Sequence, residues 1–214
     1  MNLFFRLVRR DLSLAWGGGA MLPVIFFLLV ATLYPFGVGP DSALLARTGG
    51  GVLWIAALLA ALLPVDRLIA PDVQSGAMDQ FAVRQIGDEF IVVAKWLAHW
   101  LSFGPPLMIA TLPAAGLLGL DGGVLARLEL GLLLGTPGLA ALGILVACLT
   151  SGLRRSSALG GLLMLPLAIP ILIFGAGSLA PTAGGALKLL AASALLLCAI
   201  TPFAAGAALR ALRE

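Results

Sequence analysis

The sequence contains a single histidine, His99, the residue type best suited to ligate a metal or a cofactor near neutral pH. It lies at the end of an apolar run, beside two tryptophans, in residues 95–100, which read Lys-Trp-Leu-Ala-His-Trp. Aromatic residues at that position typically anchor a helix at the membrane interface. Because no cysteine or second histidine stands at metal-ligand spacing, an interfacial anchor is favoured over a ligand, and both interpretations stay open.

Other groups that could do chemistry are scarce in this sequence. No G-x-x-x-x-G-K-[ST] segment is present to bind a nucleotide, and no H-E-x-x-H or G-x-S-x-G segment suggests an enzyme. The two cysteines, Cys148 and Cys198, fall in apolar runs and are predicted to be small buried side chains. Glu129 lies near the end of a run, and no carboxylate occupies a predicted midplane, which counts against an ion-coupled secondary transporter. Energy for any work would then come from a partner protein.

Residues 66–90 form the one substantial polar segment and read DRLIAPDVQSGAMDQFAVRQIGDEF. Val73, Ala77 and Phe81 recur at i, i+4 and i+8, the spacing of one helix face. The spacing predicts a short helix that begins near Asp72 and presents these three residues as an apolar stripe.

Three polar side chains lie off that stripe, Asp72, Asp79 and Gln80, and are expected to be free to contact a partner outside the membrane. Short amphipathic helices of this kind dock into grooves on soluble proteins. The alternative is a solvated connector whose helix lies at the membrane interface, and the pattern by itself leaves both open.

The composition of the chain requires a membrane environment. Of the 214 residues, 61% are hydrophobic and 11% are charged, whereas soluble domains carry roughly 25% charged residues. Apolar runs of roughly 20 residues, the length that a bilayer core requires, recur along the chain. We therefore predict an all-α integral membrane protein with about six transmembrane helices. The predicted spans are 21–38, 50–64, 96–118, 128–150, 158–178 and 186–209.

Two glycines four residues apart, Gly131 and Gly135, lie in the fourth predicted span. Such a pair lets helices approach closely, and internal packing within the bundle is favoured over a dimer interface.

Residues 1–16 are predicted to form an amphipathic helix that lies in the membrane interface. Basic side chains such as Arg6 and Arg9 fall on one side, opposite an apolar face, and only Asp11 breaks the pattern. Three glycines at 17–19 then allow the chain to turn into the bilayer. A cleaved signal peptide is the alternative, although no small-x-small cleavage site follows cleanly.

The distribution of lysine and arginine predicts the orientation. With six spans, ten of the thirteen basic residues fall on the side of the N-terminus. Because cytoplasmic loops carry the excess of Lys and Arg, both termini and residues 66–90 are predicted to face the cytoplasm. The basic residues are dispersed rather than clustered, so no nucleic-acid-binding surface is expected.

Several stretches follow one another in an order typical of a known family. They read YPFGVGP at 34–40, GVLWIAALL at 51–59, KWLAHW at 95–100, LGTP at 134–137, LTSGLRR at 149–155 and LPLAIPILIFG at 165–175. With them the chain resembles the CcmB family, the heme exporter B permease subunits of ABC-type complexes in bacterial cytochrome c maturation. In the polar segment this family has Asp, Gly and Leu-Glu-Gln, where Asp72, Gly76 and Met78-Asp79-Gln80 stand here.

The resemblance implies a single permease domain over residues 1–214, in the bacterial inner membrane, that is not itself an enzyme. It implies a separate CcmA-type ATPase subunit, association with CcmC and CcmD, and a functional link to the heme chaperone CcmE. No cofactor is expected in the chain: ATP belongs to the partner, and heme is a candidate substrate. The residues expected to contact the ATPase are Asp72, Gly76, Asp79, Gln80 and Phe81.

Several functions remain open at this stage. The complex could export heme itself, or use ATP to release heme-loaded CcmE, and the absence of a periplasmic histidine favours release. Under the resemblance, His99 is either an interfacial residue or a heme ligand. A membrane scaffold without transport is the main alternative, and a secondary transporter would need midplane polar groups that the sequence lacks.

Overall fold

The described chain consists of α-helices joined by short turns. The computed structural model describes residues 3–151, 156–180 and 184–212, and no β-strand occurs within those ranges. Three basic residues of the predicted cytoplasmic set, Arg154, Arg155 and Arg213, lie outside them. The helices are α1 (Leu3–Gly17), α2 (Leu22–Val38), α3 (Ser42–Leu62), α4 (Ala70–Gln74), α5 (Ala77–Val83), α6 (Asp88–Leu117), α7 (Gly122–Thr150), α8 (Ser156–Gly177) and α9 (Ala186–Ala211).

The expectation of an all-α membrane protein with about six spans is confirmed. Among the described residues, five helices are long and apolar enough to cross a membrane. A sixth crossing results if α1 and α2, which meet at a 52° bend, count as one broken span. The chain is therefore a multi-pass membrane protein.

Three predicted spans are too short at their N-terminal ends. One is the span predicted at 128–150, which is α7 and begins at Gly122 after its Asp121 cap. The span predicted at 50–64 is α3, which begins at Ser42, because Asp41 caps it by accepting hydrogen bonds from the backbone of Ala43 and Leu44. The span predicted at 96–118 is α6, which begins at Asp88 with two acidic residues in its first turn. Polar end-turns continue a helix beyond its apolar core, and hydropathy does not detect them.

Helix α7 lies at the centre of the bundle. Of its most apolar 18-residue stretch, 72% is buried, the highest share among the five candidate spans of the described chain. The helix packs against α6, α8 and α9. Helices α8 and α9 instead expose large apolar side chains such as Ile173, Leu195 and Phe203. In a multi-pass protein these exposed faces suit contact with lipid.

Trp54 of α3 is fully buried where α3, α7 and α8 meet. Three glycines make room for its indole: a Cβ added at Gly131, Gly135 or Gly175 would lie 3.0, 2.8 or 2.6 Å from the ring. The glycine pair of the fourth predicted span therefore serves internal packing, as expected. It receives a tryptophan side chain rather than another helix backbone.

Replacement of Gly175 by alanine should destabilise the protein by about 1–3 kcal/mol, the usual range for overpacking a close-packed core. The added methyl group has to displace a rigid, fully buried indole ring. Gly161→Ala is the matched control, because it lies on the same helix and a Cβ there meets nothing within 4 Å. The thermal unfolding midpoint in detergent measures both variants, and equal midpoints would contradict the packing account.

Candidate functional site

The polar segment 66–90 folds as a 3₁₀ turn (Val65–Arg67) followed by α4 and α5. The prediction of one helix from Asp72 through Phe81 is wrong, because the chain breaks at Gly76. Gly76 has a φ of +70°, in the left-handed region, and a right-handed helix cannot continue through that conformation. Two short helices replace the single one.

The break also changes which side chains are buried. Val73 of the predicted apolar stripe is exposed, whereas Met78 of α5 is buried. Phe81 is half-buried and packs against a cluster formed by α1 and α6, and its ring centre lies 5.7 Å from the Arg10 guanidinium carbon of α1. Val73 therefore does not share a helix face with Ala77 and Phe81, because the break at Gly76 places it on α4 and the other two on α5.

The three polar residues predicted to be free differ in the structure. Asp79 and Gln80 on α5 are exposed, as expected. Asp72 on α4 is only 6% exposed, and the expectation that its side chain is free is wrong. Its carboxylate instead forms ion pairs with basic side chains of α1 and α6.

A group of four charged side chains, which we call the Asp72 cluster, joins α1, α4 and α6. The Asp72 carboxylate is ion-paired with both Arg10 of α1 and Lys95 of α6. Lys95 also lies 3.2 Å from Asp11 Oδ2 and donates to the Leu68 carbonyl at 3.2 Å. Two cations thus face two anions, so the cluster carries no net charge.

The Asp72 cluster explains the one residue that broke the amphipathic pattern of residues 1–16. Asp11 lies on the side of α1 that contacts α6, next to Leu7 and Val8, where it meets Lys95. Sequence reasoning missed Arg10, Asp11 and Lys95 as members of a site. The available signals were an acidic residue on an apolar face and a lysine within an apolar run. A buried charge needs a partner of opposite sign, so each of the two predicts the other.

A second ionic contact brings the end of α9 to the same region. Arg210 donates to Glu89 Oε1 at 2.6 Å and lies 3.8 Å from Asp88 Oδ2, so the last turn of α9 reaches the first turn of α6. Beside it, Met78 and Asp79 of α5 line a pocket of ≈ 280 Å³ together with Leu209. Helix α5 thus forms part of an accessible surface at this end of the bundle.

His99 does not lie where an interfacial anchor would. Its side chain is 3% exposed and packs 4.9 Å from Phe103, ring centre to ring centre. The neighbouring tryptophans also point into the bundle: Trp96 Nε1 donates to the Pro137 carbonyl at 2.9 Å, and Trp100 Nε1 to Thr136 Oγ1 at 3.0 Å. The aromatic residues of 95–100 thereby join α6 to α7 rather than forming an exposed belt.

The described residues offer little to a metal ion. No group of three or more His, Cys, Asp and Glu side chains within them has the arrangement of a metal site. Cys148 and Cys198 are both free thiols, the first buried and the second half-buried.

Four of the five residues predicted to contact a partner lie on α5 or at its N-terminal cap: Gly76, Asp79, Gln80 and Phe81. Asp79 and Gln80 are exposed there and Phe81 is half-buried, whereas the fifth, Asp72, is buried on α4.

Replacement of Lys95 by methionine should destabilise the protein by about 3–5 kcal/mol, because Asp11 and Asp72 would stay buried with only Arg10 to neutralise them. Adding Asp11→Asn to Lys95→Met should recover part of that loss, since one uncompensated charge is then removed. Lys188→Met, at an exposed position, is the control.

Thermal unfolding midpoints of the purified variants measure the effect. A Lys95→Met protein as stable as the parent, or a double variant no more stable than the single one, would contradict this account of the Asp72 cluster.

Comparison with known proteins identifies the family. The family model described as CcmB protein matches residues 2–212. A protein of Paracoccus denitrificans named heme exporter protein B is 47% identical over 211 residues, covering 95% of this chain and 97% of the relative. The same name belongs to relatives from Rhodobacter capsulatus, 46% identical over 95% of this chain and 97% of the relative, and Escherichia coli K12, 40% identical over 97% and 98%. The chain belongs to the CcmB protein family.

Proposed function

We propose that the chain is the permease subunit of a bacterial heme exporter in which a separate CcmA-type ATPase supplies the energy. Family membership carries the proposal, because relatives named heme exporter protein B match nearly the full length of the chain. The sequence has no P-loop, so the partner would bind and hydrolyse ATP. The chain itself is then a non-catalytic transport component without a resident cofactor.

The proposed location is the bacterial inner membrane, with both termini in the cytoplasm. The positive-inside rule supports this orientation. Arg10, Lys95 and Arg210 gather at the end of the bundle where α6 begins, the same end as α4 and α5. In the proposal this end faces the cytoplasm, where a soluble ATPase subunit can reach it.

The proposed contact surface for the ATPase is α5 with the end of α4. Asp79 and Gln80 are exposed there, and Gly76, in a left-handed conformation, separates the two helices. A short helix at such a position suits a groove on a soluble partner. Phe81 contributes from the inner side of α5, where it packs against α1.

Asp72 takes a different part in the proposal from Asp79 and Gln80. It transmits movement of α4 to α1 and α6, because its carboxylate forms ion pairs with Arg10 on α1 and Lys95 on α6. A displacement of α5 would therefore be transmitted to the transmembrane helix α6 and to the N-terminal helix α1. The ion pairs stay together because separating buried charges costs several kcal/mol of free energy.

The work performed is either translocation of heme or release of heme-loaded CcmE, with CcmC and CcmD as further partners. Both forms of work use the same ATPase contact, and heme is substrate rather than cofactor in each. A membrane scaffold is the competing function. ATPase-dead CcmA that still supports cytochrome c maturation would favour the scaffold over a transporter.

The combined change Asp79→Lys and Phe81→Asp should abolish co-purification with the ATPase subunit, because it reverses charge and removes an apolar contact on α5. Phe81 also supports α1, so Asp79→Lys with Gln80→Lys is the cleaner test, since both of its side chains are exposed. We expect that variant to insert normally and to lose the ATPase. Asp66→Lys, an exposed charge reversal outside α4 and α5, is the control.

Co-purification in detergent and cytochrome c maturation in cells are the measurements for these variants. Unimpaired complex formation together with normal maturation would remove α5 as the contact surface, while leaving the family assignment in place.

A further inference from the structure

A cavity of ≈ 290 Å³ lies beside the Asp72 cluster, between the bend that joins α1 to α2 and the end of α3. Leu14, Leu22 and Leu63 line it, and all three of these leucine side chains are exposed. Ala98 of α6 and Ile144 of α7 also line it and are buried. The cavity therefore has an apolar mouth at the protein surface and extends from there into the bundle.

The mouth lies at the level where spanning helices end. Helix α3, part of a candidate span, ends at Leu62, and α2 begins at Leu22, after the bend of the broken span. In a bilayer this level is the boundary between headgroups and acyl chains. Exposed leucines there are more favourably covered by lipid than by water. The position of the mouth thus points to an occupant that comes from the bilayer.

Arg67, the last residue of the 3₁₀ turn, places a cation at the edge of the cavity. Its side chain is exposed, and its Nη1 donates to the Gly18 carbonyl. Within the described ranges that carbonyl is its one hydrogen-bond acceptor, and no carboxylate forms an ion pair with it. A guanidinium has several N–H donors, so most of them are left for a ligand.

Gly19 allows this guanidinium to lie close to the backbone between α1 and α2. Its φ is +100°, in the left-handed region, and a Cβ added there would lie 3.3 Å from Arg67 Nη1. The hydrogen bond to Gly18 and the close approach to Gly19 hold the cation beside the apolar mouth. A charged group fixed next to an apolar cavity matches the two parts of an amphiphile.

The remaining charges of the wall favour an anionic headgroup. Lys95 forms ion pairs with Asp11 and Asp72, and Arg10 pairs with Asp72 as well. The carboxylates of the wall are therefore already neutralised, and the ammonium group of a zwitterionic lipid would find no free partner there. Arg67 does lack a counter-charge, and a phosphate group suits the planar fork of a guanidinium.

We propose that this cavity binds one anionic phospholipid, whose phosphate pairs with Arg67 while part of one acyl chain enters between α1, α2 and α6. The volume agrees, because an apolar cavity of about 150 Å³ holds benzene, and this one is about twice as large. The site is separate from the proposed ATPase contact and does not depend on the proposed function. A bound lipid would connect the bend between α1 and α2 to the end of α3.

Photo-crosslinking of the full chain tests the proposal. The protein, purified in detergent and stripped of lipid, is incubated with phosphatidylglycerol that carries a diazirine in one acyl chain, and mass spectrometry locates the crosslinks. We expect saturable labelling of cavity residues such as Leu14 and Ile144. Unlabelled phosphatidylglycerol should compete at least about tenfold better than phosphatidylcholine with the same acyl chains, because a charge-assisted contact is lost with the latter.

Three variants locate the effect. Arg67→Gln should lower labelling of the cavity at least about tenfold at sub-saturating lipid, and Arg67→Lys, which keeps the charge, should lower it less. Ala15→Leu should also lower labelling, because it narrows the cavity from α1. Arg84→Gln is the matched control, since Arg84 is an exposed arginine of the same polar segment outside the cavity wall, and it should label as the parent does.

Four results would overturn the proposal. Equal competition by phosphatidylcholine would deny the selection for an anionic headgroup, and unchanged labelling of Arg67→Gln would deny the role of the guanidinium. Crosslinks confined to the exposed faces of α8 and α9 would show that lipid only surrounds the protein. Competition by inorganic phosphate as strong as that by the lipid would show a phosphate site without an acyl chain.

Discussion

The Lys95 side chain is only 6% exposed, and the elements around it bring two carboxylates to its ammonium group. Asp11 reaches it from α1 and Asp72 from α4, while Arg10 balances the second carboxylate. Breaking a buried pair costs far more than an exposed one, because the remaining charge stays desolvated. Helix α1, the polar segment and the transmembrane helix α6 are thus held together by the need to neutralise buried charge.

This arrangement gives α4 and α5 different tasks. Helix α5 lies at the protein surface, where Asp79 and Gln80 are exposed, whereas Asp72 on α4 is buried in the bundle. Gly76, in a left-handed conformation between them, fixes the change of direction. In our proposal the partner binds α5 and α4 transmits its movement, so the binding and transmitting helices are separated by the turn at Ser75 and Gly76.

Much of the fold could be predicted from sequence because its determinants are local. Apolar runs of membrane length predict α8 and α9 with little error, whereas the starts of α3, α6 and α7 depend on caps and polar first turns that hydropathy does not measure. The break at Gly76 was missed because a backbone dihedral is not visible in an apolar stripe. The burial of His99 results from the meeting of α6 with α7, which no spacing within α6 contains.

The central claim is that the Asp72 cluster couples the partner surface to α1 and α6. It is tested most directly by ATP hydrolysis of the reconstituted complex, comparing the parent with the Lys95→Met and Asp11→Asn double variant in lipid nanodiscs. The account predicts that the parent subunit stimulates hydrolysis by the ATPase, whereas the variant still assembles with the ATPase and does not stimulate it. Full stimulation in an assembled variant complex would contradict it.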